Sequence, residues 1–148
     1  MKRSLVIWTM VVTSIVWAAA AFAGETPEDA KAMVDEVVAF YKANGKDKTL
    51  AEINNPHGKF VKGELYAYAY DLKGTIIAHG NNQKLAGKSM YDAQDPDGVY
   101  FAREFMKVGP KGGWVNCKWK NPLTNKVQDK KHYIIQVDDV IFGCGAYI

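Results

Sequence analysis

Residues 65–71 read Leu-Tyr-Ala-Tyr-Ala-Tyr-Asp, so phenols at Tyr66, Tyr68 and Tyr70 alternate with methyls at Ala67 and Ala69. A phenol both donates and accepts a hydrogen bond. On an extended chain, residues two apart share one side. Three phenols on one side are either core residues whose hydroxyls reach the surface or the wall of a small polar cavity, and the alternation alone leaves both open. Other chemistry is hard to find. The histidines, His57, His79 and His132, show neither His-x-x-x-His spacing nor a cysteine beside them in sequence, which argues against a metal centre. Asp92-Ala-Gln-Asp-Pro-Asp-Gly98 resembles a calcium loop superficially, but its glycine is misplaced and the late bidentate glutamate is missing. It reads as turns that lead into a helix near Val99. Ser89 has no nucleophile elbow around it, and no Cys-x-x-Cys-His is present to hold a haem. No catalysis and no cofactor are expected.

The elements that must hold the tyrosines follow from periodicity. Thr26-Pro27-Glu28-Asp29 is a helix start, with a capping hydroxyl, a proline in the first turn and two acids at the positive end. Ala30, Met33, Val34, Val37 and Tyr41 continue it at helical spacing until Asn44-Gly45. A shorter helical piece runs from Asp47 to Asn54, before Pro56. The period then becomes two. Residues 64–71 and 75–79 read as a hairpin about the turn 71–74. Residues 81–98 are irregular, 99–108 form a short helix, and 109–113 break it. Strands at 114–120, 127–137 and 140–148 complete an α+β domain with a five-stranded antiparallel sheet.

The chain has 148 residues, which suits one domain. Lys2 and Arg3 precede an apolar run from Leu5 to Phe22 that ends in Ala21-Phe22-Ala23. Residues 1–23 therefore read as a secretory signal peptide, cleaved after Ala23. A retained anchor is the alternative, and the small-residue end favours cleavage. The remaining chain, residues 24–148, keeps 17 of 19 basic residues and all 16 acidic ones, a net charge of +1. So small a charge argues against a nucleic-acid partner. A periplasmic location is expected.

Taken in order, "LYAYAYDLKGTIIAHG", "LAGKSMYDAQDPDGVYFAREFM", "GGWVNCKWKNPLTNKVQDKKHY" and "IFGCGAYI" resemble the single Cache domains of type 2 over residues 25–148. The resemblance implies an extracytoplasmic sensor with a PAS-like sheet, strand order 2-1-5-4-3. A long N-terminal helix would lie on one face, and loops plus a short helix would cover a small-molecule pocket on the other. It implies small organic acids, C2–C4 carboxylates, as ligands. A receptor, kinase or transporter in the membrane is the implied partner, and pairing of two copies through the N-terminal helix a further one.

The resemblance also nominates residues. Tyr68 and Tyr70 become hydroxyl donors. His79 stands in Ala-His-Gly, where the family has Ala-His-Pro, so its placement depends on Gly80. Trp114 and Trp119 match aromatic positions of the third strand. Cys117 replaces a tyrosine of the family. Lys130 and Tyr133 match a Lys-x-x-Tyr pattern. A buried carboxylate needs a cation or several donors; Lys130 is the first choice, and Lys131 the second should the strand parity differ. Met106 floors the pocket or joins the core. Arg103 reads as a member of a surface ion pair. With one strand between Cys117 and Cys144, their separation of about 10 Å exceeds the ~7 Å a disulfide allows, so two free thiols are expected. The competing function is an interaction scaffold whose pocket is filled by its own side chains.

Overall fold

The computed structural model describes residues 25–148; the expected leader lies outside the described residues. Helix α1 spans Pro27–Asn44 and α2 spans Lys46–Ile53. Thr26 and Asp29 form a reciprocal capping box, with Oγ1 accepting from Asp29 N at 3.2 Å and the carboxylate accepting from Thr26 N at 2.8 Å. Gly45, at φ +84°, makes the bend between the two helices that a side chain would resist.

The strands are β1 (Val61–Lys62), β2 (Leu65–Asp71), β3 (Ile76–His79), β4 (Gly113–Lys120), β5 (Val127–Val137) and β6 (Val140–Tyr147). Their order is β1-β2-β6-β5-β4, with β3 also on β2, and every pairing is antiparallel. The five longer strands follow the expected 2-1-5-4-3 order. The two-residue β1 was not foreseen, being too short to show a period.

Alternation on β2 assigns the two faces. Ala67 and Ala69 join Ala30, Met33, Val34 and Val37 of α1, together with Phe142 and Cys144 of β6. Methyls there let the helix lie close to the sheet. Tyr66, Tyr68 and Tyr70 point the other way. They join Phe101, Ala102 and Phe105 of α3 (Phe101–Val108) and Val115, Cys117 and Ile134 of the sheet. The long connection before α3 closes over this face. It is tied down by Asp95, whose carboxylate accepts from the backbone N–H groups of Asp97, Val99 and Lys118 at 2.9, 2.9 and 2.7 Å. Cys117 and Cys144 are both free and buried. Beyond having β5 between them, they face opposite sides of the sheet, and Cys144 Sγ lies 3.6 Å from Met33 Sδ of α1. Among the described residues no helix is long and apolar enough to cross a membrane.

Candidate functional site

Between the tyrosine face and α3 lies a cavity of about 10 Å³. Tyr66, Tyr68, Tyr70 and His79 form one wall, Cys117, Trp119 and His132 the second, and Phe101 and Phe105 the lid. That volume holds about one water.

Strand β6 makes the floor possible. Its sequence is Val-Ile-Phe-Gly-Cys-Gly-Ala-Tyr, and Gly143 and Gly145 are two apart. A Cβ on Gly143 would lie 2.6 Å from Cζ of Tyr68, and one on Gly145 would lie 2.7 Å from His132 Nδ1 and 2.9 Å from Cε of Lys130. The missing side chains are the space in which these three groups lie down. Gly80 settles His79 in a similar way. Its N–H donates to Ala67 O at 3.0 Å, a bond that proline cannot make, and this continues the pairing of β3 with β2. His79 N donates to Asn54 Oδ1 at 2.9 Å.

The His79 tautomer follows from one contact. Asn82 N–H donates to its Nδ1 at 3.0 Å, so Nδ1 is an acceptor. Burial, and then the charge of Lys130, push the imidazole pKa down to about 4. The ring is therefore neutral and its proton sits on Nε2. Neither His79 Nε2 nor the Tyr70 hydroxyl makes a hydrogen bond among the described residues, and since no fully buried side-chain nitrogen or oxygen there goes unpartnered, both atoms reach accessible space.

Lys130 is fully buried, at 0% exposure. Its Nζ stands 3.9 Å from the ring centre of Tyr66 and 4.5 Å from that of Tyr147, and donates to Tyr147 Oη at 3.5 Å. No carboxylate lies within ion-pair distance of it among the described residues. Burial lowers its pKa to about 8, so it still carries its charge at neutral pH. Burial raises the phenols of Tyr66, Tyr68 and Tyr70 and lifts the Cys117 thiol to about 12. Lys130 is not among the residues that line the cavity: its Nζ lies against the Tyr66 ring, and from there its charge acts on His79 and His132, so the neutral donors of the wall have one cation behind them.

His132 was not foreseen here. It is buried, held neutral by burial and by Lys130, and bridges Tyr68 Oη (2.6 Å to Nδ1) and Cys117 Sγ (3.2 Å to Nε2). The cysteine that the local sequence did not show comes from the adjacent strand β4, one diagonal step away. Strand parity from Lys130 would have placed His132 on this face.

The same parity corrects two expectations. Lys131 and Tyr133 lie on the α1 side and do not line this cavity. Lys131 Nζ sits over Trp114 at 5.0 Å, and Tyr133 packs against Trp114 at 5.1 Å. Met106 packs around the lid cluster without lining the cavity. Arg103 pairs with Asp92 and stacks on Tyr91 and Tyr100 at the surface.

Beyond His79 and Trp119 lies a second, open depression of about 430 Å³ that includes Asn82, Lys120 and Asn125. These two rings therefore form the partition between the inner cavity and solvent.

Comparison with known proteins agrees with this architecture. A methyl-accepting chemotaxis protein from Vibrio parahaemolyticus has a structure 28% identical, with a TM-score of 0.71 over 82% of this chain and 87% of the other. A Cache chemosensory domain solved for its carboxylic acid recognition is 24% identical, with a TM-score of 0.61 over 82% and 87%. The sensor histidine kinase MctS of Rhizobium johnstonii is 29% identical over 86 residues, 56% of this chain but 19% of the kinase. Residues 9–148 match the family described as Single Cache domain 2, a match that begins inside the segment read as a leader. The chain belongs to the Single Cache domain 2 family of sensor domains.

Proposed function

We propose that this domain captures a small monocarboxylate, of two to four carbons, on the tyrosine face of its sheet outside the cytoplasm, and performs no reaction on it. The observation that carries the reading is Lys130, a buried cation against the Tyr66 wall of the cavity with no carboxylate within ion-pair distance among the described residues, Glu64 acting on it only from farther away. Leaving a charge so is costly, and a ligand carboxylate removes the deficit through a charge-assisted hydrogen bond. Tyr68, Tyr70 and the Nε2–H of His79 supply neutral donors, and Trp119 with Phe105 covers the ligand's carbons. The Cache chemosensory domain above, whose fold this chain shares, was solved for carboxylic acid recognition.

The cavity must open first. Even a two-carbon acid exceeds its volume of about 10 Å³, so α3 and Trp119 have to move outward, and the Tyr66 ring has to turn aside before the acid reaches Lys130. An acid of about six heavy atoms at ~1.5 kcal/mol each reaches at most about −9 kcal/mol, near micromolar. The opening cost subtracts from that.

The test is thermal unfolding against acetate, propionate, lactate and pyruvate, with amines and amino acids as controls. An acid at ~100 times its Kd adds ~2.7 kcal/mol, several degrees for a domain of this size. The expected shift disappears in Lys130→Met. The filled cavity also favours a second reading, a scaffold that docks on a membrane receptor, kinase or transporter. No shift with any compound selects that reading.

A further inference from the structure

The chain Tyr68–His132–Cys117 crosses β2, β5 and β4 inside the site, and its donors and acceptors can be ordered. The Tyr68 Oη to Nδ1 contact of 2.6 Å admits either group as donor, but Nδ1 is the one hydrogen-bond partner of the Tyr68 hydroxyl among the described residues, so in the free protein a proton turned away from it would have no acceptor. The Tyr68 proton therefore points at Nδ1. The neutral ring then carries its proton on Nε2 and donates it to Cys117 Sγ, 3.2 Å away. In this arrangement the hydroxyl offers the cavity only lone pairs, which repel a carboxylate.

Tyr68 can turn its proton to an anion only if something else fills its place against Nδ1. Two lone pairs at 2.6 Å would otherwise face each other. The remedy is the other tautomer. With its proton on Nδ1, His132 donates to Tyr68 Oη, and Nε2 becomes an acceptor. A thiol both accepts and donates, so the S–H of Cys117 can turn to Nε2. The protons balance around a closed circuit: the Tyr68 proton passes to Nδ1, the Nε2 proton passes to Sγ, and the original thiol proton returns to Tyr68 Oη through the cavity that both side chains line, so each group holds one proton before and after.

Building on the acid-binding reading, we propose that Cys117 and His132 are positioning residues whose change of tautomer frees the Tyr68 hydroxyl to donate to a bound carboxylate. Cys117 is what leaves both states satisfied. An apolar side chain there strands Nε2, and because a stranded N–H is the worse of the two defects, it settles His132 in the Nδ1–H form in advance.

Nitrogen-15 spectra of histidine-labelled protein, recorded free and saturated with the acetate or propionate that binds, distinguish the tautomers directly. In the wild type, the free protein should show Nε2 protonated and Nδ1 bare, and the saturated protein the reverse. Cys117→Val should hold the Nδ1–H form with and without acid, and Cys117→Ser should restore the exchange. Tyr68→Phe should bind roughly tenfold more weakly and show no acid-dependent change. An acid that binds while His132 keeps one tautomer overturns the relay and leaves the binding reading intact, as does a free protein already protonated on Nδ1. If no acid on the panel binds, the binding reading fails and the relay falls with it.

Discussion

At the scale of single residues, the costliest group is Lys130, fully buried against the rings of Tyr66 and Tyr147, and its sequence neighbours give little hint of that burial. Its pKa near 8 against 10.5 in a solvated lysine means that the folded state holds its proton less tightly. Between pH 8 and 10.5 the unfolded chain binds more protons, so stability rises with pH across that window. Below pH 8 the full penalty is present, on the order of 3 kcal/mol, partly offset by the two tyrosine rings. Lys130→Met should therefore stabilise the protein by about 1 kcal/mol at pH 7, abolish the rise between pH 8 and 10.5 in denaturant titrations, and eliminate acid binding. In the wild type a bound carboxylate holds the ammonium charged. Affinity for propionate should be flat from pH 6.5 to 8 and weaken above 8, by up to tenfold per pH unit, in calorimetric titrations. The need for a cation nominated Lys130 and then Lys131, and pattern alone separated neither Lys131 nor Tyr133 from Lys130 by face. Their correction is a matter of parity, since a strand cannot show residues one or three apart on one face.

At the scale of elements, the two-sidedness of β2 was readable from its tyrosine–alanine alternation, because bulk on one side and methyls on the other demand different neighbours, whereas the alternation left open whether the phenols fill a core or line a cavity. Strand β6 is its counterpart. Gly143 and Gly145 face the phenols and the histidine, while Phe142 and Cys144 face α1. Gly143→Ala sets a methyl against the Tyr68 ring and should cost about 1–3 kcal/mol of overpacking. It should also remove acid binding by displacing the Tyr68 hydroxyl, seen as a lowered denaturation midpoint together with a lost calorimetric signal. The role of His132 escaped detection because it depends on how β4 and β5 pair. Cys117 is adjacent to it in the sheet and fifteen residues away in the chain. Loop residues 81–100 carry no period, so nothing in the sequence told how deeply α3 would press Phe101 and Phe105 onto the tyrosines.

At the scale of the whole molecule, the two faces of one sheet are given different tasks: α1 closes the first with aliphatic packing, and α3 with its preceding loop closes the second over polar groups. Lys130, held between the rings of Tyr66 and Tyr147, is the one fully buried lysine among the described residues. This has a kinetic consequence. A lysine titrating near 8 holds more free amine at neutral pH than its solvated counterparts, yet no acylating reagent can reach it while the Tyr66 and Tyr147 rings cover it. Its labelling rate, followed by mass spectrometry of the peptide that contains it, is then a clock for the opening of that cover. Exposed lysines such as Lys107 should be modified first and Lys130 last, in step with the opening rate. Saturating propionate should slow that last event further, leaving the surface lysines unchanged.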